Sequence, residues 1–288
     1  MSSPSSPTRY PRLRRGGAEL VLVLTLYVLY SGSRLFADDS LAPAVLRAQE
    51  LLDVEELVGL HWEAALNQVF VDMKVLGLLS SYWYATAHYV VTAVALLWLY
   101  RLGERQYVPA RRALVAATLV GLALYLLLPT APPRFVDGYV DVLSLHAADG
   151  WWGSDASAPK GLGGLTNQLA AFPSLHAGWA LWVAIVVQTN ARRPWTRALG
   201  WGHAAVTAVV IVGTGNHWVL DAVAGWLVIG VGFLLAARLG RRLDRRLDRR
   251  LDRRLDRRPD HPRSEPAAAN GPKMVPTGHR QDSSTTVG

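Results

Sequence analysis

The sequence predicts an all-α fold: a six-span transmembrane helical bundle with amphipathic helices on its outer surface. Three observations carry that prediction. Apolar residues gather in blocks of roughly 16 to 20, close to the length a helix needs to cross a bilayer. Trp and Tyr recur at the block ends, at Tyr82, Trp83, Tyr100, Trp195 and Trp218, where interfacial rings belong. Basic residues crowd every second connection.

The blocks place spans at about 18–35, 83–101, 111–128, 170–189, 197–213 and 217–239. The first follows Arg9, Arg12, Arg14 and Arg15, as a signal peptide would, but no small-residue cleavage site follows it, so an uncleaved span is expected. Arg101, Arg105, Arg111 and Arg112 flank the second connection, and Arg192, Arg193 and Arg197 the fourth. The first and third connections are acidic, with Asp38, Asp39, Glu50, Asp53, Glu55, Glu56, Glu63 and Asp72 in one and Asp137, Asp141, Asp149 and Asp155 in the other. The alternation puts both termini in the cytoplasm of a multi-pass protein of the cell membrane. Within the first connection Val58, Trp62, Ala65, Leu66, Val69 and Met73 recur at helical spacing with acids and amides between them. That pattern predicts one or two amphipathic helices on the outer surface.

Three parts follow: a basic cytoplasmic tail at 1–17, a membrane domain at 18–239, and a polybasic, largely disordered cytoplasmic tail at 240–288. Net charge is +8, and +6 of it comes from the Arg-Arg-Leu-Asp repeats of 241–258, with ten Arg and four Asp. A basic run directly after a span reads as an anchor to anionic lipid rather than a nucleic-acid surface. The chain has no cysteine, which excludes disulfides, thiolate metal sites and a cysteine nucleophile.

Three segments put titratable residues at span ends, where such residues are costly and tend to be functional. They are Leu-Pro-Thr-Ala-Pro-Pro-Arg-Phe at 128–135, Ala-Phe-Pro-Ser-Leu-His-Ala-Gly at 171–178 and Gly-Thr-Gly-Asn-His-Trp-Val-Leu-Asp at 213–221. The topology places all three on the extracytoplasmic side. His217 and Asp221 are four apart and share a helix face. A carboxylate on one imidazole nitrogen orients the ring and makes the other nitrogen a nucleophile suited to phosphorus. His176 can serve as acid and then base. Arg134, Ser174 and the free amides near Leu175 offer donors to phosphate oxygens.

PSLH at 173–176, H-x-x-x-D at 217–221 and the upstream Pro-Pro-Arg at 132–134 resemble the type 2 phosphatidic acid phosphatase superfamily, which also contains the vanadium haloperoxidases. Leu175 in the P-S-x-H motif, Arg34 after the first span and Tyr84 with His88 in the second are similar to the inositolphosphotransferase-like branch, related to inositol phosphorylceramide synthase. The resemblance covers about 18–239. It implies a helical bundle that needs neither metal nor cofactor, with His217 as nucleophile, His176 as acid and base, Asp221 as orienter, and Arg134, Ser174 and the Leu175 amide on phosphate. A lipid phosphate or polyprenyl phosphate substrate is expected, with a polyol such as inositol as an acceptor if the reaction is transfer. Two departures stand out: Leu127 and Ile211 occupy positions where the family carries a phosphate-binding Lys and Arg. Lys160, Arg34, Thr214 and Asn216 are candidates to compensate. His203, within the fifth span, is read as structural. A transporter or scaffold using the same polar cluster is the alternative function, and vanadate-dependent oxidation a weaker third.

Overall fold

The computed structural model describes residues 40–60, 62–152 and 167–255, together with Gly17, Glu19, Val21, Thr25, Val28 and Gly32. Most of the expected first span, Arg34, Lys160 and the tail beyond Leu255 lie outside the described residues. Two compact units are distinguished, 1–242 and 243–288. Among the described residues there are eight α-helices and no strand: α1 (Leu41–Leu57), α2 (Glu63–Asp72), α3 (Lys74–Leu102), α4 (Glu104–Leu127), α5 (Val142–Leu145), α6 (Leu175–Asn190), α7 (Pro194–Gly213) and α8 (Val219–Leu255).

Among the described residues three helices are long and apolar enough to cross a membrane: α3, α4 and Val219–Arg242 of α8. Their patterning is reversed relative to a water-soluble protein. On α3 the exposed positions include Val90, Val94 and Leu97, while Ser80, Ser81, Tyr84, His88 and Thr92 are buried. Polar groups facing inward and aliphatic ones outward suit a hydrocarbon surround. The expected fourth span is shorter than predicted. Pro173 and the cap at Ser174 delay α6 to Leu175, so 170–174 is not helical and the helix has 16 residues. In α7, Arg197, Gly200, Gly202 and His203 interrupt the apolar run over 20 residues. α3 begins nine residues before the expected 83 because the helical pattern extends back through Val75.

α6 and α7 form a hairpin, and Gly200 lets them approach: a Cβ there would sit 3.2 Å from the Val187 side chain. The inner core joins α3, α4, α6 and α8 through Leu99, Leu114, Trp182, Val186 and Ile229. A second cluster packs α2, α3 and α7 through Phe70, Tyr84, Val210 and Ile211.

The first connection forms two helices. Their apolar positions Val58, Trp62, Ala65, Val69 and Met73 are exposed, as a face set against lipid is. Glu55, Glu63 and Asn67 are buried within the protein, held there by long-range hydrogen bonding. Asn67 donates to the carbonyls of Val140 (3.0 Å) and Gly213 (2.9 Å) and accepts from Val140 N (2.8 Å). The glutamates reach the start of α8. The break between α1 and α2 is built by Gly59, at φ +78°, which lets Leu60 N turn back onto the Glu55 carbonyl at 2.8 Å.

Candidate active site

The site assembles where α6 and α8 begin, against the inner face of α3. Pro173 cannot donate a backbone hydrogen bond and Ser174 supplies the cap: its Oγ accepts from Ala177 N at 3.3 Å. Ser174 N donates to the Asp221 carbonyl at 2.8 Å, tying the first turn of α6 to the first turn of α8. That contact needs Gly225, because a Cβ there would lie 2.1 Å from the Ser174 carbonyl oxygen. The segment before each helix is also joined. Thr130 and Ala170 form a parallel bridge, with Thr130 N donating to Leu169 O (2.8 Å) and Ala171 N to Thr130 O (3.2 Å). The Ala171 carbonyl is thereby set one step from the helix start.

His217 lies between these parts. Its Nδ1 is 2.9 Å from the Ala171 carbonyl oxygen and 3.3 Å from Asp221 Oδ2. A carbonyl oxygen can only accept, so Nδ1 carries the hydrogen and Nε2 presents a lone pair. The carbonyl is the nearer of the two orienting partners. Asp221 divides its role, since Oδ2 also accepts from Trp218 N at 2.8 Å, half of a capping box at the start of α8. Trp218 Nε1 donates to Ala131 O at 3.0 Å and anchors the helix start to the Pro-Pro-Arg segment.

The His176 ring centroid stands 5.4 Å from that of His217, with the planes inclined at 59°. Tyr84 stacks on His176 at 4.4 Å and His88 meets it edge-on at 4.1 Å. His88 Nδ1 is 3.1 Å from the Tyr84 carbonyl oxygen of its own helix. The Nε2 atoms of both His176 and His217 are buried and have no protein partner. Two imidazole nitrogens close together, each desolvated and unspent, are uncommon in a folded interior. Both are sealed from solvent, so a substrate reaches them only if neighbouring side chains move.

Arg134 completes the cluster. It sits in a 3-10 turn, Pro133–Phe135, held by Arg134 N donating to Gly215 O at 2.9 Å. Gly215 has φ +72°, and a Cβ there would meet the Val140 carbonyl at 2.6 Å. The guanidinium donates to Asn216 Oδ1 at 2.5 Å and reaches Gln168 O at 3.4 Å, with Nε 3.6 Å from Asp141 Oδ2. It lies 5.0 Å from the Phe135 ring centre. Burial raises the Asp141 carboxyl above its ordinary range, against the pull of Arg134 and of the Ser144 and Leu143 amides.

The structure thus brings His176, His217, Asp221, Arg134, Asn216, Tyr84 and His88 together, with Ser174 beneath them. Leu175 N already has a partner, facing Tyr125 Oη at 3.4 Å, whereas Ser174 Oγ accepts from Ala177 N and keeps its own hydrogen to donate. Of the two departures, Leu127 is exposed at the end of α4, far from any polar role. Ile211 is fully buried, and its carbonyl accepts from Asn216 N and His217 N at 3.2 and 3.0 Å. Glu55, Glu63, Asn67, Asp141 and Gln168 were not singled out from sequence. The acids resembled solvent-facing spacers, and no local pattern distinguishes them. Among the described residues no group of three or more His, Asp or Glu side chains is arranged to hold a metal ion. A groove of about 390 Å³ between α3 and α7, lined by Phe70, Leu79, Trp83, Val206 and Val209, includes neither histidine.

No curated protein and no solved structure matches this chain. A family model does: residues 49–235, more than half of the 288 residues and spanning the segments 128–135, 171–178 and 213–221, match the PAP2 superfamily, and the chain belongs to it.

Proposed function

We propose that this chain is an integral membrane enzyme that removes or transfers phosphate from a lipid phosphate through a phosphohistidine on His217. Superfamily membership and three apolar helices support the coarser reading, a membrane phosphoesterase. The observation that carries the mechanism is the pair of buried, unpartnered Nε2 atoms on rings 5.4 Å apart.

In the first step the His217 Nε2 lone pair attacks phosphorus and the bond from phosphorus to the lipid oxygen breaks. The departing oxygen takes a proton from His176 Nε2. Nδ1 of His217 keeps its hydrogen on the Ala171 carbonyl and Asp221, which hold the ring as positive charge develops. Arg134 stabilises the non-bridging oxygens with a fork already aligned by Asn216. In the second step water or an alcohol gives its proton to His176 and attacks phosphorus, and the P–N bond breaks. Water makes the enzyme a phosphatase; a polyol such as inositol makes it a transferase of the inositolphosphotransferase-like branch. Polyprenyl phosphate is a further candidate substrate.

The reading includes six spans, both termini in the cytoplasm, an extracytoplasmic site, and a polybasic tail against anionic lipid. The basic alternation of the connections supports it.

The test is incubation of the purified protein in detergent with ³²P-labelled lipid phosphates, followed by an alkaline detergent quench and peptide mapping kept at alkaline pH. Acid-labile label on His217, absent from His217→Asn, is expected. Phosphate released without added alcohol identifies a hydrolase, and label moving to inositol a transferase. A folded H217N that turns over as fast as the parent would refute the mechanism, and one that retains full biological function without turnover would favour a transporter or scaffold.

A further inference from the structure

The first turn of α8 is held from outside by two acids. Val219 N donates to Glu63 Oε1 at 2.5 Å and Leu220 N to Glu55 Oε1 at 2.6 Å, while Trp218 N is taken by Asp221. The three amides that open the helix, which a helix leaves unpaired by itself, all end on carboxyl oxygens. Two of those carboxyls come from α1 and α2, more than 150 residues earlier in the chain.

The other oxygen of each glutamate is the informative one. Oε2 of Glu55 and Oε2 of Glu63 are buried on residues 0% and 1% exposed, and neither has a hydrogen-bond partner. Each carboxyl is close enough to act on the ionisation of the other, and two buried negative charges side by side repel. The titratable groups facing the pair supply no positive charge. Asp221 faces both from α8, and Tyr139 faces both from the loop before α5.

We propose that Glu55 and Glu63 are positioning residues, a pair of buried carboxyls that clasps the first turn of α8 and so sets His217 against His176. The role rests on the function proposed above. His217 immediately precedes the clasped turn, and its ring is oriented by Ala171 on one side and Asp221 on the other. Losing the clasp frees two helix-start amides and lets the turn move relative to the Ala171 carbonyl. Burial first, then the charge of Glu55, pushes the Glu63 carboxyl up to about 9, so it is neutral at pH 7. Ionising it sets a second buried charge beside Glu55, and their repulsion loosens the clasp.

The test compares the full-length protein with Glu63→Gln and Glu63→Ala across pH. In E63Q the amide oxygen still accepts from Val219 and the side chain carries no titrating proton. Expected are a wild-type kcat that falls above about pH 9, an E63Q profile without that fall, and E63A with kcat reduced about a hundredfold at every pH and KM within about twofold. E63A at wild-type kcat, or an E63Q profile with the same alkaline fall, overturns the proposal. If wild type releases no phosphate from any lipid at any pH, the proposed function fails instead, and melting curves decide the clasp. A folded-state value raised from 4.5 to about 9 means stability is lost as pH rises through that window. Wild type should melt progressively lower across it and E63Q should not; superimposed curves refute the clasp.

Discussion

Replacing Gly225 by alanine adds one methyl group and should nearly abolish turnover. The added Cβ would stand 2.1 Å from the Ser174 carbonyl oxygen, 3.0 Å from its carbon and 3.3 Å from Gly178 N. Real Cβ contacts essentially never fall below 3.0 Å, so α6 and α8 must separate by about 0.9 Å at this point. The obstacle is backbone, and no side chain can rotate away. Ser174 begins α6 and lies two residues before His176, while Gly225 lies four after Asp221. The separation therefore falls directly between the two imidazoles. A displacement near 1 Å costs on the order of 100-fold in rate, and overpacking costs about 1–3 kcal/mol of stability. Helix propensity acts in the opposite direction, since Gly to Ala in a helix favours folding by about 1 kcal/mol. Gly230→Ala on the same helix, with open space around its Cβ, isolates that gain. Phosphate release from detergent-solubilised protein and thermal melting should show G225A slow and no more stable than wild type, and G230A active and at least as stable. G225A turning over within twofold of wild type would refute the claim that this approach sets the histidine pair.

Arg134→Lys should fare little better than Arg134→Ala, each losing about 10²–10³-fold in kcat, because an ammonium cannot span Asn216 and Gln168 while presenting further donors to phosphate. Near-wild-type turnover by R134K would show that charge alone suffices. Asn67→Leu removes the partners of Val140 N, Val140 O and Gly213 O, each loss costing about 1–3 kcal/mol where the group stays buried. A melting temperature unchanged from wild type would count against that bonding.

Much of the site was legible locally. A Pro-Ser pair before an apolar run marks a helix start, and the four-residue step from His217 to Asp221 puts both on one helix end. The positions of α3, α4 and α8 follow from apolar runs. Less legible were the amino-terminal helices, where the apolar pattern of Val58, Trp62 and Val69 gave no sign that Glu55, Glu63 and Asn67 pack into the protein. Periodicity reports how a helix would face a uniform apolar surface. It carries no information when the facing surface is a row of unpaired backbone amides and carbonyls.

The sequence by itself determined the helical class, the apolar segments, the two histidines with their acid, and the arginine. These are local properties, readable from composition and from spacing within a few residues. Only the tertiary structure decided that a carbonyl at Ala171 is the nearer orienting partner of His217, that Ser174 N is tied to the Asp221 carbonyl past Gly225, and that two distant glutamates hold the start of α8. Each of these is a hydrogen bond across 46 to 165 residues or a backbone approach closer than a methyl group allows. Such contacts form because burial leaves polar groups no water to pair with, and that demand arises only once the helices have met.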